Sequence, residues 1–288
     1  MFVKIGLSVV VLLSAGASAS APVDPLTVPI VGERTAEWLA PTPPEKLYGN
    51  TYLVGFGGLS NALIDTGRGL ILIDGALPQA APMIMANVKR LGFKPSDIKY
   101  ILSTEPHFDH AGGIAALTRD TGATVIASPR GAQGLRSGRL ADDDPQRAYA
   151  HSFPGLARVR EIRDGQKLRL GNTVVTAVAT PGHTMGSMSW SWQACEARRC
   201  RNIVFASSLN PVSAEGYRYS ARTSAGIVAG FKRSYAAMQL IPCDVLITAH
   251  PSQSGSNSRY VEGPGACKAY AEASERALAD RLAKERGR

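Results

Sequence analysis

Two β-sheets packed face to face between layers of helix are the fold that this 288-residue sequence predicts. Three observations carry that α/β expectation. Short apolar runs such as Leu70–Ile73, Ile98–Leu102, Ala123–Ala127 and Val245–Thr248 end in turns, the pattern of buried strands. Segments of near-helical spacing lie among them, and can cover the sheets that such strands build. The composition, 44% hydrophobic and 19% charged, supplies a core and excludes disorder, and no short solenoid repeat interrupts it. Length alone fits one large domain or two small ones; the pattern favours one, over residues 22–288.

The chain opens with Lys4, an apolar run Ile5–Leu13, and two small-x-small sites, Ala17-Ser18-Ala19 and Ala19-Ser20-Ala21. That reads as a secretory signal peptide over Met1–Ala21, because the run is too short to cross a bilayer. The mature protein is expected in the periplasm. Pro22–Pro44 reads as a Pro-rich surface arm anchored by Trp38. Asn50–Phe56, Asn61–Thr66 and Leu70–Gly75 follow as strands, and Pro82–Leu91 as a helix stopped by Gly92. Ile98–Leu102 is a buried strand leading into Ser103–Gly113, then come a helix, Ile114–Thr121, and a strand, Ala123–Ala127. Residues 129–160 are mostly polar, with several Gly, an Asp142-Asp143-Asp144-Pro145 turn and Pro154; they are expected to form a long irregular functional loop. Strands return from Val159, over Thr173–Ala179, Ser187–Trp192 and Asn202–Ala206. Ala221–Leu240 and Ala266–Lys284 read as helices on either side of the Val245–Thr248 strand.

The net charge is +9, and loss of the signal removes only Lys4 from it. The Lys and Arg are scattered singly without interleaved aromatics, so a solvated basic surface is expected, with no nucleic-acid or membrane partner. Four Cys suit an oxidising compartment. Cys195 and Cys200 bracket a short charged loop, which leaves Cys243 and Cys267 as the other natural pair. Four Cys allow three connectivities, so this pairing rests on spacing. Neither pair has the Cys-x-x-Cys spacing of a zinc or redox site.

The chemistry gathers at strand ends. Of five His, His107 and His110 follow the Ile98 strand, His183 follows Thr173–Thr180 in Pro181-Gly182-His183-Thr184, and His250 follows Val245–Ala249. His151 lies apart in the irregular stretch and reads as a surface residue. A lone strand-end His is usually bland, and a lone His-x-Asp-His matches by chance often enough. Three buried strands that each deliver imidazole from a turn, joined by Glu105 and Asp109, are better explained by a metal site than by core packing. Imidazole and carboxylate are ligands that zinc prefers. Gly55-Phe56-Gly57-Gly58 is no dinucleotide fingerprint, since no helix follows, and Ser60, Ser187 and Ser208 lack a nucleophile-elbow context.

These residues resemble the metallo-β-lactamase superfamily, and within it the third β-lactamase subclass. The family's His-x-His-x-Asp-His appears here as Glu105-x-His107-x-Asp109-His110, followed by Gly182-His183 and the late His250. The likeness runs from about Trp38 to the C-terminal helix and takes in Asn50–Gly55, Ile71–Gly75, Leu91-Gly92-Phe93 and the Cys243/Cys267 pair. It implies an αββα sandwich, two mixed sheets flanked by helices, with two zinc ions at the sheet edges. By position, His107 and His183 would hold the first zinc, and Asp109, His110 and His250 the second. A hydroxide shared by metals roughly 3.5–4 Å apart would then open a β-lactam ring, with Asp109 orienting it. The implied protein is a monomeric, antibiotic-resistance hydrolase of penicillins, cephalosporins or carbapenems.

Two positions bear on that expectation. Glu105 stands where the family places its first His, and Pro106 restricts it to extended backbone, so it is expected to ligate the first zinc. Its charge lowers the net charge of the two-metal site by one, which makes bound water ionise less readily and the first site the weaker one. Ser208 matches the position where glyoxalase-type and lactonase-type members carry a metal-bridging Asp, and is expected to support the site or contact substrate. A lactone or ester hydrolase of the same fold, or a non-catalytic zinc-binding homologue, remain the alternatives. Asp74 is expected as a hydrogen-bonding support beneath the site; Trp38 and Tyr217–Tyr219 could line the cleft or simply pack.

Overall fold

The structure, a computed structural model, describes Phe2 and residues 23–149, 151–256 and 258–287. The signal peptide expected over Met1–Ala21 lies, apart from Phe2, outside the described residues. Among those residues no helix is long and apolar enough to cross a membrane.

The first sheet is built from β1 (Glu45–Tyr48), β2 (Thr51–Leu53), β3 (Ala62–Asp65), β4 (Leu70–Ile73), β5 (Ile98–Leu102), β6 (Thr124–Ala127) and β7 (Arg160–Glu161), paired in chain order. β1 to β4 run antiparallel and β4 to β7 parallel. The second sheet has the order β13 (Val261–Glu262), β12 (Val245–Thr248), β11 (Arg199–Ala206), β10 (Met188–Glu196), β9 (Thr173–Ala179), β8 (Lys167–Leu170). Only β11 and β12 are parallel in it. Both sheets are therefore mixed, as the family likeness implied.

Burial explains why the central strands lack alternation in the sequence. Along β4, Leu70 and Leu72 face a core shared with α2 (Ala81–Arg90), α4 (Ile114–Thr121) and α5 (Pro129–Ser137), while Ile71 and Ile73 face the other sheet. Along β12, Val245 and Ile247 face the first sheet, and Leu246 faces α6 (Ala225–Leu240) and α7 (Ala266–Arg286). Each strand is covered on both sides, so all its positions but Thr248 are apolar. The layers run helix, sheet, sheet, helix, and Trp190, Trp192 and Phe205 fill the space between the sheets.

Residues 129–160 are less irregular than the sequence suggested, because α5 occupies their start. Its two glycines depress helix propensity, but tertiary contacts reverse the balance. Ser128 Oγ accepts from Gly131 N at 2.9 Å as an N-cap, Pro129 takes the first turn, and Ala132 and Leu135 are fully buried. A Cβ on Gly134 would collide with the Pro106 ring, so the glycine that weakened the pattern lets α5 press against the Glu105 turn. The sequence pattern also does not mark the short β1, β8 and β13 or the one-turn α1 (Thr35–Trp38). Both expected disulfides, Cys195–Cys200 and Cys243–Cys267, are formed.

Candidate metal centre

The centre begins where β5 ends. Pro106 holds Glu105 extended, and the chain then turns into α3 (Phe108–Ala111), whose single turn points Asp109 and His110 inward. The turn is pinned to the strand beside it, with Gly75 N donating to His110 O at 2.8 Å. Gly113 lies so close to the Gly75 carbonyl that a Cβ there would overlap it. Asp74, the residue before Gly75, adopts φ 61°, a strained value for a residue with a side chain. Its carboxylate accepts from Thr104 N at 2.7 Å and Thr104 Oγ1 at 2.6 Å, and sits 3.6 Å from His110 Nδ1. It supports the site from below, as expected.

His183 arrives from the turn after β9 and His250 from the end of β12. Two buried groups result: Glu105, His107 and His183, and Asp109, His110 and His250. Within each, the potential ligand atoms lie within 4.8 Å of one another. Glu105 Oε1 is 3.5 Å from His183 Nε2, 3.9 Å from His107 Nδ1 and 3.3 Å from His110 Nε2, so it stands where the groups meet. In the second group, Asp109 Oδ2 lies 3.3 Å from His250 Nε2, which is 3.1 Å from His110 Nε2.

The outer nitrogens decide which nitrogen faces inward. His183 Nδ1 donates to Asn210 O at 2.9 Å, His250 Nδ1 to Gly58 O at 3.0 Å, and His107 Nε2 to Asp144 Oδ2 at 3.0 Å. Glu105 Oε2 accepts from Ser208 N at 3.0 Å, while Oε1 is buried without a hydrogen-bond partner. A buried carboxylate oxygen left unpaired is costly, and a cation would satisfy it.

Electrostatics agree with that fit. Burial raises the Glu105 carboxyl, but the imidazoles of His183, His110 and His107 outweigh it and hold the group at about 2. Burial also raises Asp109, yet His110 and His250 carry it well below the carboxylate range. Burial lowers His110, but the Asp109 and Glu105 carboxylates push it up to about 10. Burial keeps His183 below its ordinary value, with its lone pair available. Two ionised carboxylates and four converging imidazoles form a donor set suited to two divalent cations of the zinc type.

Both groups open on a cavity of about 570 Å³. Trp38, Phe108, Tyr149 and Val212 give it an apolar wall, and Arg34, Asn210 and Gln253 polar edges. Trp38 packs 5.6 Å from the His250 ring, whereas Tyr219 is buried in the core beneath α6 and Tyr217 packs against it. Ser208 is fully buried; its Oγ accepts from Gln253 Nε2 at 3.2 Å, so its side chain lies behind the cavity wall. His151 is exposed, with its ring 5.0 Å from Phe108. Sequence reasoning missed Asp144, Gln146, Asn210 and Gln253. Gln146 Nε2 donates to His183 Nε2 at 2.9 Å. The only signal for any of them was the Asp142–Pro145 turn.

The family model described as the metallo-beta-lactamase superfamily matches residues 44–195. A solved B3 metallo-beta-lactamase with an active site glutamic acid is 65% identical, with TM-score 0.90, covering 91% of this chain and 98% of that one. The Rm3 metallo-beta-lactamase is 42% identical, with TM-score 0.85 and 89% and 100% of the two chains covered. The subclass B3 metallo-beta-lactamase of Bradyrhizobium japonicum is 33% identical, with TM-score 0.78 and coverage of 88% and 98%. Curated relatives are more distant: the hydroxyacylglutathione hydrolase of Rhodospirillum rubrum is 27% identical over 128 residues, 44% of this chain and 41% of that protein. The chain spans about half the length, or less, of the curated relatives it matches.

Proposed function

This chain belongs to the metallo-beta-lactamase superfamily and, within it, to the B3 group, and on that premise we propose that it hydrolyses the β-lactam ring of penicillins, cephalosporins or carbapenems with zinc. The observation that carries the reading is the pair of adjoining buried donor groups opening on one cavity, with Glu105 at their junction. Glu105, His107 and His183 would hold one zinc, and Asp109, His110 and His250 the other. Bound there, the ions would supply Lewis acidity toward the lactam carbonyl and make water more acidic.

The chain's own residues do the rest. Water adds to the carbonyl carbon, the ring C–N bond breaks, and the nitrogen leaves with a proton. Asp109, held ionised, would accept a hydrogen bond from the attacking water and orient it. Glu105 adds a negative charge where an imidazole would be neutral. Trp38, Phe108 and Tyr149 pack against the substrate and exclude bulk water. Asn210 and Gln253 line the cavity, and the Gln253 amide is held in its wall by Ser208, Asn210 and Tyr270, so the contribution of Ser208 to binding is indirect. Ser208 cannot bridge metals as a carboxylate does, which argues against a thioester or lactone substrate.

Two features support a periplasmic setting, the Met1–Ala21 signal and the paired cysteines. The protein is read as a monomer that acts on a small molecule. Carbapenem hydrolysis by the purified mature protein tests the function. Turnover should rise with added zinc and stop with chelator; no turnover at saturating zinc, with turnover of an acyl-homoserine lactone instead, would overturn it.

A further inference from the structure

Each of the four inward-facing imidazoles has its outer nitrogen backed by an acceptor, and one of these acceptors differs from the rest. Asp74 and the main-chain carbonyls of Gly58 and Asn210 back His110, His250 and His183 from strand ends or the segments beside them. His107 is instead backed by Asp144, a carboxylate from the segment after α5, 37 residues away in sequence. We propose that Asp144 is a positioning residue of the Glu105/His107/His183 site: it holds His107 with Nδ1 free and aimed inward, and so sets how tightly that site binds zinc. The proposal rests on the zinc reading of that site.

Asp144 is built for this contact. The His107 and Asp144 side chains are only 5% and 3% exposed, and their nitrogen and oxygen are 3.0 Å apart. Its neighbours behave otherwise. Asp142 pairs with Arg147 and is 95% exposed, and Asp143 pairs with Arg130 and is 50% exposed. Of three consecutive aspartates, one is turned inward, and burying a carboxylate costs energy unless a partner offsets it. The inward turn is also locked. Asp144 Oδ1 accepts from Gln146 N at 2.8 Å, Arg147 N donates to Asp144 O at 3.1 Å, and Ala214 N donates to Pro145 O at 2.8 Å. The second contact closes the turn, and the third ties it to the segment beyond β11.

The chemistry of the acceptor matters as well. A carboxylate on the outer nitrogen makes an imidazole a stronger donor than a neutral carbonyl does. Asp74 offers such a carboxylate to His110 at 3.6 Å, and Asp144 offers the closer one, at 3.0 Å, to the group in which Glu105 replaces an imidazole. Asp144 therefore strengthens the site that the substitution at Glu105 would otherwise leave weak.

The test is titration of the metal-free protein with Zn²⁺ in competition with a chromophoric chelator, alongside imidazole nitrogen NMR of the zinc-loaded form. Wild type should take up two equivalents; failure to do so would defeat the zinc reading itself, apart from any variant. Asp144→Ala should weaken one equivalent about 10–100-fold, leave the other unchanged, and expose the His107 Nε2–H to rapid exchange. Asp144→Asn keeps an oxygen that accepts from Nε2–H, so it should weaken zinc less and retain the protected proton. Asp143→Ala, on the same turn but paired to Arg130, should match wild type. Two wild-type equivalents in a folded Asp144→Ala protein would overturn the proposal. If that variant does not fold, wild-type affinity with an unprotected Nε2–H in Asp144→Asn would overturn it equally.

Discussion

At Glu105 one substitution changes both the donor and the charge of the first group. Its Oε2 is fixed by Ser208 N at 3.0 Å, so Oε1 is presented inward rather than left to rotate. Glu105→His would remove one negative charge from a centre where Oε1 lies within 4 Å of three imidazoles. Water held by two cations should then ionise more readily, and the acid limb of the pH profile of kcat/KM should move to lower pH. An unmoved limb would mean that the charge of Glu105 does not reach the nucleophile. The ligand types and their spacing were visible in the sequence at this scale. The second partners were not, because Asp144 and Asn210 meet the imidazoles only after the chain has folded.

At the scale of elements, the end of α7 shows how a helix anchors the segment that precedes α6. Glu285, near its end, accepts from Tyr219 N at 3.2 Å and Ser220 N at 2.7 Å and pairs with Arg281. Burial raises this carboxyl, but the Ser220 N–H and Arg281 outweigh it and hold it at about 2, below its ordinary 4.5. A carboxyl depressed by folding contributes stability above its unfolded value and loses it as pH falls through its folded value. Glu285→Gln should cost about 1–3 kcal/mol at neutral pH, and the gap from wild type should close between about 4.5 and about 2. Denaturant midpoints across that range check it; a gap constant down to pH 2 would contradict it. Elsewhere, Ile114–Thr121 appears with the bounds expected from its spacing, and Val245–Thr248 likewise. α5 was missed because its glycines serve close contacts, Gly134 with Pro106 and Gly131 with Gly186, which local propensity does not register.

For the whole molecule, the two disulfides differ in how much chain they close. Cys243–Cys267 links the chain before β12 to the start of α7 and closes a separation of 24 residues. Cys195–Cys200 spans only 5 residues across the β10–β11 hairpin. Loop-closure entropy predicts the larger effect for the longer loop. Replacing Cys243 and Cys267 together with Ser should cost about 3 kcal/mol, and replacing Cys195 and Cys200 clearly less. Equal losses in equilibrium unfolding would contradict the ranking.

By itself, the sequence determined the layered α/β class, through apolar runs that only doubly covered strands require. It also placed His107, His110, His183 and His250 in turns at the ends of buried strands, while the sorting of six donors into two sites came from the family resemblance. Tertiary structure alone decided what surrounds them: Asp144 behind His107, Ser208 behind Glu105, and the Trp38 and Phe108 wall. Those contacts join segments far apart in the chain. Local pattern reports the periodicity of one element; which outer nitrogen finds which oxygen is settled by the packing of several.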